Sequence, residues 1–285
     1  MTGIIDSHQH FWQVGRFDYP WMSPEIAVLC QDYLPPALEP ILKRCSVEQT
    51  ILVQASNSID ETRWLLSLAD RNSFIAGVVG WVDLQADDVG RQLDELAHPK
   101  FKGVRHLVES EPVDDWLAQP KVIRGLGELE SRQLAYDLLV HAKHLKHAEK
   151  VAQECPELRL VVDHVAKPSI VNGEVDDWRR EITKLAAHKN VWCKLSGLVT
   201  EADHDHWRPS DLRPYVDTAL ECFGAERMMF GSDWPVCLLA ASYDRVLETA
   251  QSLLADLNSD DLERVFSRNA IEFYRAGDEI WSAAA

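Results

Sequence analysis

The chain has no apolar run near the roughly 18 residues that a membrane span requires. Its first residues, MTGIIDSHQH, turn polar after five positions, too early for a secretory signal. Basic residues are scarce: 29 Lys and Arg against 46 Asp and Glu give a formal net charge of −17. That balance argues against nucleic acid or an anionic membrane surface as partner. The six cysteines, at 30, 45, 155, 193, 222 and 237, are widely spaced and include no CxxC pair. Neither a zinc ribbon nor a disulfide framework is expected, and reduced, mostly buried thiols point to a cytoplasmic protein. No GxGxxG, P-loop or GxSxG pattern occurs, which leaves no sign of a dinucleotide site, a nucleotide site or a serine-hydrolase elbow.

What is present is an alternation. Short β-branched and apolar runs predict strands at Gly3–His8, Thr50–Ala55, Ile75–Val82, Gly103–Leu107, Leu134–Val140, Arg159–Asp163, Val191–Leu195 and Met228–Gly231. Runs such as ILVQ and LRLVV are too apolar to have a wet face, as parallel strands covered on both sides require. Between the runs, apolar residues recur three or four apart, for example over Asp60–Asn72 and Leu145–Cys155. Eight strands with intervening helices predict an α/β fold, a single-domain (β/α)8 TIM barrel over 1–276, and 285 residues suffice for one. The tail 277–285 is small and polar apart from Ile280 and Trp281, and reads as an appendage. Two long connections, Phe11 to Leu34 and Glu201–Asp211, have the length of binding loops. The first carries Trp12, Phe17, Tyr19 and Trp21; the second carries His204, His206 and Trp207.

Asp6-Ser7-His8-Gln9-His10 ends the first strand. Period-two geometry puts His8 and His10 on one face, about 6.5 Å apart along the strand. Such a pair suits a shared metal ion or one substrate oxygen held by two imidazoles; two unrelated rim histidines are the plain alternative. The last strand runs into Gly231-Ser232-Asp233, and first and last strands are neighbours in a barrel. Asp233 is therefore expected beside the two histidines at the carboxyl end, where barrel chemistry occurs, as a carboxylate able to take a proton from water. Asp163-His164 ends strand six, with His164 a polarising donor and Asp163 an orienting group behind an imidazole. Strand four ends in Arg105-His106, of which Arg105 suits a carboxylate or hydroxyl-rich substrate. Trp81, Asp83, Lys194 and Ser196 are further strand-end groups, for which structural roles are at least as good a reading. His141, His144 and His147 alternate with lysines and read as a solvated stripe, with only His141 near the site.

The segments IDSHQHFW, KGVRHLVE, YDLLV, LVVDHVAKP, NVWCKLSGLVTEA, FGSDWPV and RNAIEFY together resemble the amidohydrolase superfamily. The similarity is to its amidohydrolase-2-type branch of sugar-lactone hydrolases and pyrone-dicarboxylate lactonase. It spans about Asp6 to Tyr274 in family order. The resemblance implies a distorted barrel that opens a small-molecule lactone to the free acid, of the kind derived from L-fuconolactone or L-rhamnonolactone. It also implies roles: His8, His10, His164 and Asp233 in catalysis, and Arg105 and His106 in substrate binding. Trp12 and Trp21 would cover the site, with Trp81 shaping it. Strand five lacks the histidine that binuclear relatives carry there. One divalent ion, zinc for example, held by His8, His10 and Asp233 is compatible with the pattern, and in this branch metal can be dispensable. The alternatives are a metal-dependent decarboxylase of an aromatic acid on the same barrel, and a non-catalytic binding barrel.

Overall fold

Eight strands form in the predicted places: β1 (Ile4–Gln9), β2 (Val47–Val53), β3 (Ile75–Gly80), β4 (Phe101–His106), β5 (Ala135–Leu138), β6 (Leu160–Val162), β7 (Val191–Leu195) and β8 (Met228–Phe230). The computed structural model describes residues 3–276, so the tail 277–285 lies outside the described residues. All pairings are parallel and follow sequence order from β1 to β8. The strand interiors match the sequence pattern, while the ends shift by up to three residues. The largest shift is at β2, which begins at Val47 because Val47 pairs with Ile4 across the sheet.

Each strand is followed by a helix: α1 (Pro35–Arg44), α2 (Ile59–Arg71), α3 (Val89–Glu95), α4 (Pro120–Ser131), α5 (Leu145–Glu154), α6 (Asp176–Ala186), α7 (Pro209–Phe223) and α8 (Tyr243–Leu253). Local chemistry sets their starts. Ser58 and Ser242 cap α2 and α8 by accepting the amides of Glu61 and Arg245, and α1, α4 and α7 carry proline in the first turn. The helices bury their apolar stripes on the outside of the strands. The barrel interior is filled by Ile5, Ile51, Val53, Val79, Ala135, Val161 and Met229. Two further helices, α9 (Ser259–Glu263) and α10 (Asn269–Tyr274), complete the chain. Phe273 and Tyr274 from α10 pack into the same interior cluster.

Closure between β1 and β8 falls just beyond the regular strands. The amide of Asp233 donates to His8 O at 2.8 Å, and that of His10 to Trp234 O at 2.7 Å. Asp6 staples this seam: its Oδ1 accepts the amides of His8 (3.1 Å) and Ser232 (2.9 Å), and its Oδ2 accepts the Tyr243 hydroxyl from α8. The backbone contacts that complete the barrel are therefore made by the residues that carry the polar site. No helix among the described residues is long and apolar enough to cross a membrane. None of the six cysteines is in a disulfide.

Candidate active site

A cavity of about 190 Å³ opens at the carboxyl ends of the strands. Its polar wall includes His10, Arg105, His164 and Asp233, and its apolar wall includes Trp12, Trp21 and Leu139. Asp233 Oδ1 lies 3.4 Å from His10 Nε2, 3.8 Å from His8 Nε2 and 3.9 Å from His164 Nε2. Asp233 adopts the left-handed region, with φ of 57°, which aspartate tolerates better than most residues. Burial pushes its carboxyl up, but the surrounding His164, His10 and Arg105 outweigh burial and hold it below the ordinary carboxylate value.

The imidazoles are buried and their pKa values are lowered, first of all by loss of hydration. They are neutral at pH 7, each with one nitrogen free to accept. His10 Nδ1 lies 2.8 Å from Val53 O. A carbonyl only accepts, so Nδ1 carries the proton and the Nε2 lone pair faces the cavity. That nitrogen is 3.1 Å from His8 Nε2, a separation that requires a proton or a cation between the two. The donor atoms of His8, His10 and Asp233 also fit a single divalent ion. Tetrahedral zinc ligands at about 2.0–2.1 Å stand about 3.3 Å from one another, close to the distances above. Two cations oppose such an ion: Arg105 NH1 is 3.3 Å from His8 Nε2, and Lys194 Nζ is 3.0 Å from His8 Nδ1.

Beneath the cavity lies a buried charge network. Lys194 Nζ is 2.5 Å from Asp137 Oδ2 and 3.0 Å from Asp163 Oδ1, and Arg105 NH1 donates to Asp163 Oδ2 at 3.2 Å. Burial raises the carboxyl of Asp163, yet Lys194, His8 and Arg105 hold it well below its usual value. Asp137 is pushed up to about 6, mainly by burial, with Lys194 acting against the rise. Two cations and two carboxylates thus balance in the barrel, and the network orients His8 from below.

His164 projects from an unusual turn. Residues His164, Val165, Ala166 and Lys167 all have positive φ, at 53°, 53°, 61° and 46°. Left-handed geometry costs about 1–2 kcal/mol per non-glycine residue. The turn is held by the Trp178 indole donating to Val165 O (2.8 Å) and by a 2.9 Å contact between His164 Nδ1 and Ser196 Oγ. Gly197 lies against the same imidazole, where a Cβ would stand 2.5 Å from His164 Nδ1.

Of the residues singled out from the sequence, His8, His10, His164, Asp233 and Arg105 come together, with Asp163 and Ser196 behind them. Trp12 and Trp21 line the cavity, but their indole N–H groups are spent on Leu29 O, Gln31 O and Ala55 O. They offer ring surface rather than hydrogen bonds. His106 and Trp81 are not on the cavity wall. His106 stacks on Trp116 with ring centroids 3.9 Å apart, contacts Glu111 at 2.6 Å and accepts the Trp81 indole N–H. Adjacent residues on a strand point to opposite sides, and Arg105 takes the inward position. The histidine stripe also differs from expectation: His144 is buried, with its Nδ1 accepting the His141 amide. His141 reaches toward the site, 3.3 Å from Glu109 Oε2. Glu109 and Lys167 on the cavity wall, and Asp6 and Asp137 behind it, carry no distinguishing signal in the sequence. Lys167 and Glu109 lie inside the segments DHVAKP and KGVRHLVE, but a rim charge looks the same in sequence whether it faces inward or outward.

A parallel barrel with convergent polar side chains at the carboxyl strand ends defines a (β/α)8 enzyme. The amidohydrolase family pattern matches residues 5–276, and the chain belongs to that family. It is 41% identical over 282 residues, 96% of each chain, to an L-fucono-1,5-lactonase of Burkholderia ambifaria. It is 43% identical over 255 residues, 85% of each chain, to an L-fucono-1,5-lactonase of Burkholderia multivorans. A crystal structure of a Burkholderia multivorans amidohydrolase with bound zinc matches with a TM-score of 0.91 at 39% identity, covering 96% of this chain and 99% of that one.

Proposed function

We propose that this enzyme opens the ring of a sugar-acid lactone of the L-fucono-1,5-lactone type to the free aldonic acid. The observation that carries the reading is the Asp233 carboxylate, ionised and set within 3.4–3.9 Å of three neutral imidazoles on a small cavity. The sustained identity to two lactonases supports the same substrate class. In this reading Asp233 takes a proton from water as the water oxygen bonds to the lactone carbonyl carbon. Arg105 and an N–H of His164 stabilise the oxyanion. The bond from that carbon to the ring oxygen then breaks, and Asp233 returns the proton to the departing oxygen. The products are a hydroxyl and a carboxylate, with one proton released to solvent at neutral pH.

A divalent ion, when bound, would be held by His8, His10 and Asp233 and would supply Lewis-acid polarisation of the carbonyl. Because Arg105 and Lys194 already place positive charge beside His8, we propose that hydrolysis does not depend on it. The test of the reading is a pH-indicator assay over a panel of aldonolactones with wild type and Asp233→Asn. The variant is expected to lose about 10²–10⁴ in kcat with its fold intact. Near-wild-type turnover by Asp233→Asn would overturn the mechanism.

A further inference from the structure

Resting on the lactonase reading, we infer that Lys167 and Glu109 form a diol clamp, a subsite that grips two adjacent ring hydroxyls of the substrate away from its carbonyl. Both side chains line the cavity that holds His10, His164 and Asp233. Lys167 Nζ lies 2.7 Å from Glu109 Oε2, which sets a donor and an acceptor side by side at about the spacing of neighbouring hydroxyl oxygens on a sugar ring. Neighbouring hydroxyls suit such a pair, because each is at once donor and acceptor: one accepts from the ammonium while the other donates to the carboxylate.

The pair is not saturated by its protein contacts. An ammonium has three N–H bonds, and Glu109 takes one; Glu201 Oε1, at 3.8 Å, is an ion-pair partner beyond hydrogen-bond reach. His141 and Lys167 both approach Oε2 of Glu109, at 3.3 and 2.7 Å, and no described residue donates to its Oε1. The four side chains come from the loops after β4, β5, β6 and β7, so the clamp belongs to the wall built by those loops, while Asp233 arrives from β8.

The backbone supplies a second, independent indication. The left-handed turn from His164 to Lys167 includes the β-branched Val165, for which that region is especially costly. A surface ion pair needs no such turn. Its geometric effect is to bring both His164 and Lys167 to the cavity from one short segment, and strained backbone of this kind gathers at working sites. Charge fits the same ligand. Among the described cavity residues both cations are already paired, Arg105 with Asp163 and Lys167 with Glu109. The cavity is thus matched to a neutral, hydroxylated ring rather than to a lactone bearing its own carboxylate.

The test compares wild type, Lys167→Met, Lys167→Arg and Glu109→Gln on three probes. These are a hydroxylated hexono-1,5-lactone, δ-valerolactone (the same ring without hydroxyls), and a 1,5-anhydrohexitol, which keeps the hydroxyls but has no carbonyl to react. Lys167→Met and Glu109→Gln are expected to raise KM for the hydroxylated lactone about 10- to 100-fold, the range of one or two charge-assisted hydrogen bonds. They should leave kcat/KM for δ-valerolactone within about threefold. Anhydrohexitol affinity, read by tryptophan fluorescence, should weaken by the same factor, and Lys167→Arg should recover part of it. Equal losses on both lactones, or unchanged anhydrohexitol binding, would overturn the clamp. If the wild type hydrolyses neither lactone, the lactonase reading fails, while anhydrohexitol binding to wild type and variants still decides the subsite.

Discussion

Replacing Lys194 by Met would remove the cation that balances the barrel interior. The ammonium is fully buried, 2.5 Å from Asp137 and 3.0 Å from both Asp163 and His8. Its loss leaves Asp163 with Arg105 and Asp137 with the Tyr274 hydroxyl. Removing one partner of a buried ion pair costs about 3–5 kcal/mol. Asp137 lowers that figure by taking up a proton, since its carboxyl is already pushed up to about 6 with the lysine present. A cost near the lower bound, about 3 kcal/mol, corresponds to a fall in Tm of roughly 6–12 °C for a chain of this size. The pH dependence has a definite sign. A carboxyl whose folded pKa exceeds its unfolded value near 3.8 stabilises the fold below that value, and the contribution is lost as pH rises through the folded pKa. Without Lys194 the folded pKa of Asp137 moves higher still, so the loss continues to higher pH. Urea unfolding of both proteins at about pH 5.5 and about pH 8 is expected to show a deficit that grows with pH. Lys194→Met/Asp137→Asn should recover part of it by restoring charge balance. A deficit below about 1 kcal/mol at the higher pH, or one that does not change with pH, would refute the reasoning.

Two further outcomes probe the site. Exhaustive chelation, checked by metal analysis, is expected to leave most of the lactone hydrolysis, because Arg105 and His164 remain as donors; a loss beyond about tenfold, restored by Zn²⁺, would place the ion in the reaction. His106→Phe should keep near-wild-type kcat and KM while costing about 1–3 kcal/mol in urea unfolding, because the Trp81 indole N–H loses its acceptor. A large rise in KM in that variant would return His106 to the substrate wall.

The contrast between His8 and His106 shows where sequence reasoning held and where it stopped. His8 lies in β1 and His10 one residue past it, so their spacing of two carries both to the site although the strand is irregular before Gln9. Arg105 and His106 are neighbours, so one must turn away; the sequence offered no means of choosing, and the Trp116 stack with the Trp81 hydrogen bond decided it. His144 looked solvated because lysines surround it, yet it is buried through its place at the start of α5.

The order of apolar runs and helical segments was enough to specify a parallel eight-stranded barrel, because each run is covered on both faces and each is followed by a helix-length connection. Barrel closure then obliges β1 and β8 to meet, which makes the approach of Asp233 to His8 and His10 predictable from topology. The pairing of Lys194 with Asp137 and Asp163, the Asp6 staple and the cavity-facing Lys167–Glu109 pair are different. Each joins residues on separate strands or loops whose side-chain directions depend on local irregularity. The bulged β1 and the left-handed turn after β6 leave no periodic trace in the sequence. Strand order decided which ends would meet. Only the packed structure decided which charges would neutralise one another and which would be left facing a ligand.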